Sequence, residues 1–409
     1  MDQDPAFNPP ETLAFTARRT SFAKVLTLNA LLTLITLGMY RFWAKTRVRR
    51  YFWRNIRFLD DPLEYTGTGG ELFVGFLIVI AILFPLGLIY SAIGAVVPPD
   101  HPELEIGLEI TYYIVLFALL QIGFYRMWRY RMSRTTWRGV RFGLDGSTWS
   151  YLKLSAGWSV LCALTLGAAY PWMQIDLWRY QARHTRLGDH TFRFDGDAGK
   201  LMLFWLPVFT AIVINVGVAV WMVMTYGLNT VVRIGTLPPE EREMLMTIIG
   251  ITLIADIIGV FGYLYYRIRQ TRLQISGLRF AEARFHSRLG FWRLFLFGLL
   301  AAVLVLAMFA VIIGLIAPSV YPEFLSMRRG GVDPGILGNL FLSGAALFIA
   351  AVIISPFVWT LLFHFEVIKQ TVKTTIIDNP QVLEHAAQSS AKGPRTGEGL
   401  ADALDIGGF

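Results

Sequence analysis

The sequence predicts an all-α polytopic membrane protein: a tandem-repeat helical bundle with short cytoplasmic β-hairpins. Three observations lead there. The 409 residues are 55% hydrophobic and only 16% charged, against about a quarter charged in soluble domains. Apolar runs of roughly 20 residues, long enough for a bilayer core, recur along the chain. Between them lie stretches rich in Arg and aromatic residues, which suit the head-group layer.

The balance of charge points the same way. A net charge of +8 in a soluble protein would suggest nucleic acid. Here the bases flank apolar segments, so anionic lipid head groups are the expected partner and nucleic acid is not. The lone Cys162 excludes an internal disulfide and a four-Cys metal site. No metal and no cofactor is expected.

Taken in order, residues 1–10 read as loose and Glu11–Thr16 as a short strand. Val25–Tyr40 is the first apolar segment, about 24 Å as helix and so short of the hydrocarbon core. Arg47, Arg50, Arg54 and Arg57 follow at spacings of three and four, which a helix gathers on one face. Asp60-Asp61-Pro62 reads as a turn between two short strands. Leu72–Val97 and Ile110–Tyr125 are spans, joined by an acidic connection. A second basic stretch, Arg126 to Arg141, ends at Asp145-Gly146, a hairpin-type turn. Leu154–Ile175 is apolar again. Arg179, Arg183 and Arg186 open a third basic stretch with its turn at Gly188-Asp189. Leu201–Val232 and Met244–Tyr266 are spans, Arg267–Arg293 is basic, and Leu294–Ile316 and Ile336–Phe365 are the last two spans.

At an offset of 129 positions the chain repeats itself. Thr36, Leu37, Gly38, Trp43, Arg50, Tyr51, Arg54, Arg57, Asp60 and Gly67 have identical counterparts at Thr165, Leu166, Gly167, Trp172, Arg179, Tyr180, Arg183, Arg186, Asp189 and Gly196. Gap-free identity of this kind predicts internal duplication. The units expected are an N-terminal polar segment (1–21), a first membrane repeat (22–150), a second (151–290), a two-span segment (291–366) and a disordered cytoplasmic tail (367–409).

Leu34-x-Thr36-Leu37-Gly38-x-Tyr40-x-x-Trp43, Arg50-Tyr51-x-x-Arg54-Asn55 and Tyr65-Thr66-Gly67-Thr68 resemble the YjgN family of bacterial inner-membrane proteins. The resemblance extends over nearly the whole chain except its ends. It implies location and architecture, and it supplies no catalytic residues.

Lys and Arg concentrate on the cytoplasmic side of short loops. There are seven in 41–57, seven in 126–153, five in 179–200 and seven in 267–293, and none in 98–109. All four basic stretches are therefore expected on the cytoplasmic side, with the C-terminus. That requires segments 25–40 and 154–175 to be re-entrant or interfacial, leaving six spans in parallel units. If those two segments cross fully, the second unit is inverted, as in many transporters. On the parallel reading the four strand pairs share one face, where they are expected to form a small sheet beneath the helices.

The candidate ligand-binding residues are Asp256, a carboxyl in the middle of a span, and the arginine rows Arg47, Arg50, Arg54, Arg57, Arg179, Arg183 and Arg186. Guanidinium forks suit lipid phosphates; topological anchoring explains the rows equally well. His184, Asp189 and His190 lie in one hairpin, where a solvated turn is the simpler reading than a metal site. There is no Walker-type loop, no His-Glu-x-x-His and no Gly-x-Ser-x-Gly. Binding or transport of a lipid or other amphipathic molecule is the first functional expectation. A membrane scaffold whose hairpins hold a protein partner is the second, and an enzyme the third.

Overall fold

The computed structural model describes residues 10–98, 100–227, 238–328, 342–347 and 349–385. Its organising element is a sheet, and this overturns the all-α class. Eleven short strands pair antiparallel throughout. They are β1 (Glu11–Thr12), β2 (Ala14–Phe15), β3 (Ile56–Phe58), β4 (Asp61–Tyr65), β5 (Thr135–Trp137), β6 (Val140–Leu144), β7 (Thr185–Leu187), β8 (His190–Phe194), β9 (Leu278–Phe280), β10 (Ala283–Ser287) and β11 (Thr375–Asp378). The four hairpins do join, as their common face suggested. They join into one continuous structure rather than remaining appendages of a bundle.

Four hairpins share one design: three residues, a two-residue loop, five residues. The loops Leu59-Asp60 and Arg138-Gly139 have positive φ at both positions, 47° and 61° in one and 49° and 77° in the other. Those are the twist-matched hairpin turns. The second turn is thus at Arg138-Gly139, and Asp145-Gly146 is the exit from β6 instead. Arg57 belongs to β3, so it leaves the helical row on which its spacing placed it.

The sheet comes round on itself. β1 and β2 are two halves of the stretch 11–15. Glu11 and Thr12 pair with Ile377 and Ile376 of β11, while Ala14 and Phe15 pair with Arg57 and Ile56 of β3. Between them Leu13 donates to Thr375 O at 3.4 Å and packs on the core. The two ends of the strand order meet at this one segment. Inside lie Phe58, Trp137, Leu187, Phe192, Phe280 and Ile377, one from each of six strands. Alternate residues of each strand face the same side, which is why β3 to β11 all contribute to one core.

Helices leave this sheet in pairs and return to it. α1 (Arg19–Ile35) and α2 (Arg41–Arg54) connect β2 to β3; α3 (Gly69–Gly94) and α4 (Pro102–Ser133) connect β4 to β5. α5 (Thr148–Leu164) and α6 (Tyr170–His184) connect β6 to β7; α7 (Met202–Tyr226) and α8 (Pro239–Ser276) connect β8 to β9. α9 (Phe291–Arg328) leaves β10. The described return path is a π-helical turn (Ala350–Ile354), α10 (Ser355–Trp359), a second π-helical turn (Thr360–His364) and α11 (Phe365–Thr374), which runs into β11. Of the residues assigned above to a disordered tail, 367–374 are helical and Thr375–Asp378 completes the sheet; the tail from 386 onward lies outside the described residues.

The expected single segments 25–40 and 154–175 are each broken by a turn. Leu37 and Gly38 have φ of 50° and 91°, Leu166 and Gly167 of 49° and 87°. The glycine N–H closes back on Thr33 O at 2.7 Å and on Cys162 O at 2.6 Å. Thr36 Oγ1 donates to Leu32 O at 2.7 Å and accepts from Tyr40 N–H at 2.9 Å; Thr165 does the same with Leu161 and Ala169. One hydroxyl therefore ends one helix and starts the next. A side chain at φ near 90° is strained, so glycine is required there.

Among the described residues, five helical stretches are long and apolar enough to cross a membrane: Gly69–Gly94, Pro102–Ser133, Ala198–Tyr226, Pro239–Ser276 and Phe291–Pro318. Apolar side chains are exposed on successive faces, for example Ile80, Ile82, Leu83 and Phe84. A helix apolar all round belongs in hydrocarbon. Of the sixth expected span, 336–365, the first six residues lie outside the described residues.

Two ends of the fold are tied by one carboxylate. Glu366, its side chain 1% exposed, accepts from Arg19 Nη2 at 2.9 Å, Arg293 Nε at 2.7 Å and Gln370 Nε2 at 2.6 Å. Arg19 and Arg293 lie in the first turns of α1 and α9, and Glu366 and Gln370 lie one turn apart in α11. Breaking a fully buried pair costs about 3–5 kcal/mol. Because Arg19 and Arg293 are 34% and 56% exposed, Glu366→Ala is expected to lose roughly 2 kcal/mol, discounted for screening, read by denaturant titration in detergent. Burial, with Asp60 and Glu384 nearby, raises the Glu11 carboxyl above its ordinary value. A raised acid stabilises the fold at low pH, and that contribution disappears as pH rises through its folded value. Glu11→Gln is therefore expected to raise the melting temperature at pH 7 and to leave it unchanged at pH 4.

Candidate functional site

The arginine rows divide into two kinds. The first kind holds helices to strands. Arg50 Nη2 donates to Gly67 O at 2.7 Å, Arg179 Nη2 to Gly196 O at 3.0 Å, and Arg129 Nη2 to Gly146 O. In all three the acceptor is 17 residues on, at the exit of the following hairpin. Tyr51 and Tyr180 add hydroxyl bonds to Arg18 O at 2.9 Å and Ser147 O at 2.8 Å. Arg186 Nη1 bonds Gly188 O at 2.9 Å, and its Nε lies 2.6 Å from Asp145 Oδ2. Arg47 Nη1 reaches Asn29 Oδ1 at 3.2 Å, across the α1–α2 hairpin, and covers the ring of Tyr40.

The second kind is free. Arg54, Arg57 and Arg183 are exposed, and among the described residues none has a hydrogen bond or ion pair. Arg54 and Arg183 are counterparts at the 129-residue offset.

Arg183 stands in a cavity of about 460 Å³ lined by Leu154, Asp176, Arg179, Tyr180, Arg183 and His184. Five of these come from α6 at positions i, i+3, i+4, i+7 and i+8, which is one helix face. Asp176 is ion-paired with Arg179 and accepts from Trp158 Nε1 at 3.2 Å. His184 Nδ1 lies 2.7 Å from Tyr180 O, and its ring packs on Tyr180 with centroids 4.2 Å apart. A carbonyl only accepts, so Nδ1 carries the proton and Nε2 is left for other contacts. Chemically the cavity offers one unpaired guanidinium, one paired guanidinium, an imidazole and a carboxylate. A cavity of this size suits a small-molecule group.

The structure does not bring Asp256 to this place. Asp256 is exposed on α8, where Asn215 Nδ2 donates to its Oδ1 at 2.8 Å and to Ala211 O at 2.9 Å. Ala255 beside it borders an apolar cavity of about 430 Å³ between α7 and α8. From Asp256 to the end of α8 the helix runs about 30 Å, so the carboxyl and the arginines are separate features. His184 does not join Asp189 and His190, whose side chains pair with one another at 2.7 Å. Sequence reasoning missed Asp176, although a signal existed: it stands where the first unit has Arg47, an inversion of charge at a matched position.

Comparison with known proteins gives the family. The family model described as bacterial protein of unknown function (DUF898) matches residues 10–403. A protein named inner membrane protein YjgN from Salmonella typhimurium is 32% identical over 148 residues, 36% of this chain and 35% of that protein. Proteins of the same name from Escherichia coli O157:H7 and Escherichia coli K12 are each 26% identical over 162 residues, 40% of this chain and 38% of theirs. The matched part thus spans little more than a third of these relatives. No solved structure matches.

Proposed function

The chain belongs to the DUF898 family of bacterial proteins and is a membrane protein, and from this we propose that it sits in the inner membrane and binds the phosphate head groups of lipids through its helical hairpins. The apolar helices and the names of its relatives support the location. The single observation that carries the binding reading is the cavity around the unpaired Arg183, with the matched Arg54 on the first hairpin. An unpaired guanidinium beside a second one is a phosphate-binding arrangement.

In this reading the chain is an internal duplication with six crossings in parallel units. The α1–α2 and α5–α6 pairs are re-entrant and dip into the bilayer at Leu37 and Leu166, which are both exposed. Support comes from hydrogen bonding: β6 of the first unit pairs with β7 of the second. A continuous sheet lies on one side of a membrane, which argues against inverted units. The density of Lys and Arg beside it supports a cytoplasmic side for the sheet.

A second reading, a scaffold for a protein partner, draws on a different observation. Arg57, Arg193 and Arg284 are exposed on outward-facing strand positions, opposite in parity to the core residues Phe58, Phe192 and Ala283. We read the protein as a binder rather than a transporter, because Asp256 lies far along α8 from the arginine level.

Two experiments test this. In the full chain with Cys162→Ser, single cysteines at Asp60→Cys and His190→Cys are expected to be protected from a membrane-impermeant thiol reagent in intact cells and labelled after lysis. Labelling of His190→Cys from outside overturns the parallel topology. For binding, native mass spectrometry of the purified chain is expected to show anionic phospholipid retained by the wild type and lost several-fold in Arg54→Gln/Arg183→Gln, with an unchanged melting temperature. Equal retention by both proteins overturns the head-group reading.

A further inference from the structure

We propose that the α5–α6 cavity selects a zwitterionic head group carrying a primary ammonium beside its phosphate, an aminophospholipid, whereas the α1–α2 hairpin takes a purely anionic one. The inference rests on the head-group reading above and concerns what kind of head group each hairpin accepts.

Matched positions of the two hairpins carry it. Both keep the arginine bound to a glycine carbonyl (Arg50, Arg179), the tyrosine bound to the incoming helix (Tyr51, Tyr180) and the free arginine (Arg54, Arg183). Among the positions where they differ, one pair spans each hairpin. In the first it is Asn29 with Arg47, joined at 3.2 Å. In the second it is Trp158 with Asp176, joined at 3.2 Å. The same cross-hairpin contact is made with the opposite charge. At the matched positions 47, 50 and 54 the first hairpin presents three guanidiniums and no carboxylate. The second presents two and a carboxylate, all lining one cavity.

A carboxylate in that position repels a purely anionic ligand and attracts an ammonium. Asp176 uses one lone pair on Trp158 and another on Arg179, and a carboxylate has about four acceptor sites. Ammonium donors therefore have sites left at Asp176, beside the indole. Arg183 stands two helical turns along, roughly 10 Å in axial rise, a gap that the length of the arginine side chain largely closes. Phosphate at Arg183 and Arg179, with ammonium at Asp176, places both charges of such a head group against their opposites. A quaternary ammonium has no N–H to donate, so it is held less well.

The test uses the full chain in detergent with short-chain (dioctanoyl) phosphatidylethanolamine, phosphatidylglycerol and phosphatidylcholine, measured by calorimetric titration. Asp176→Asn keeps an acceptor for Trp158. It is expected to weaken phosphatidylethanolamine on the order of tenfold, the value of one charge-assisted hydrogen bond, and to leave phosphatidylglycerol unchanged or tighter. Asp176→Glu is expected to restore much of the loss. If Asp176→Asn weakens both lipids equally, or neither, selection of the amine is overturned. Equally tight binding of phosphatidylcholine and phosphatidylethanolamine overturns it as well. If free phosphoethanolamine competes as strongly as the lipid, the site belongs to a soluble compound and the lipid assignment fails. Arg183→Gln separates the two layers: should it leave every lipid bound as before, the head-group reading itself falls.

Discussion

Everything in this fold depends on the backbone hydrogen bonds of residues 11–15. That segment donates and accepts on one side to β11 and on the other to β3. A strand sequence that would otherwise have two open edges is closed by five residues. Exposed edges template unwanted pairing, and closure removes them. It also sets the length of everything else. Each strand is two to five residues, about 7–17 Å, so the sheet is only as tall as its aromatic core. Each excursion between strands must return to where it began, and a pair of helices is the simplest connection that does so.

That constraint separates two sorts of helix pair. Where the chain has a Thr-Leu-Gly turn after 17 residues, as in α1–α2 and α5–α6, the pair reverses early. Where apolar sequence continues for 25 residues or more, as in α3 and α7, it reaches across a bilayer first. One threonine hydroxyl and one left-handed glycine decide between these outcomes.

Arginine serves two purposes in the same few turns of helix. Arg50, Arg129 and Arg179 satisfy glycine carbonyls at hairpin exits, where the backbone approaches too closely for a side chain. They are part of the fold. Arg54 and Arg183, one helical turn further, are exposed, and among the described residues their side chains have no hydrogen bond or ion pair. Residue type and spacing do not distinguish the two classes, because both recur in the same rows. The hydrogen-bond partner does.

The sequence by itself determined the membrane class, the family resemblance, the identities at a fixed offset, the density of bases between the apolar segments, and the Gly188-Asp189 turn of the third hairpin. All of these are local or additive properties: apolar run length, charge density, identity at a fixed offset. Tertiary structure alone decided that the hairpins are one closed sheet, that Thr375–Asp378 belongs to it, and that Asp176 shares a cavity with Arg183. Three-residue strands carry too little alternation to be read, and partners such as Arg284 and Asp378, or Glu11 and Ile377, are separated by long helical excursions. β11 illustrates the limit, since Thr375–Asp378 becomes a strand only because β10 and β1 stand on either side to receive its hydrogen bonds.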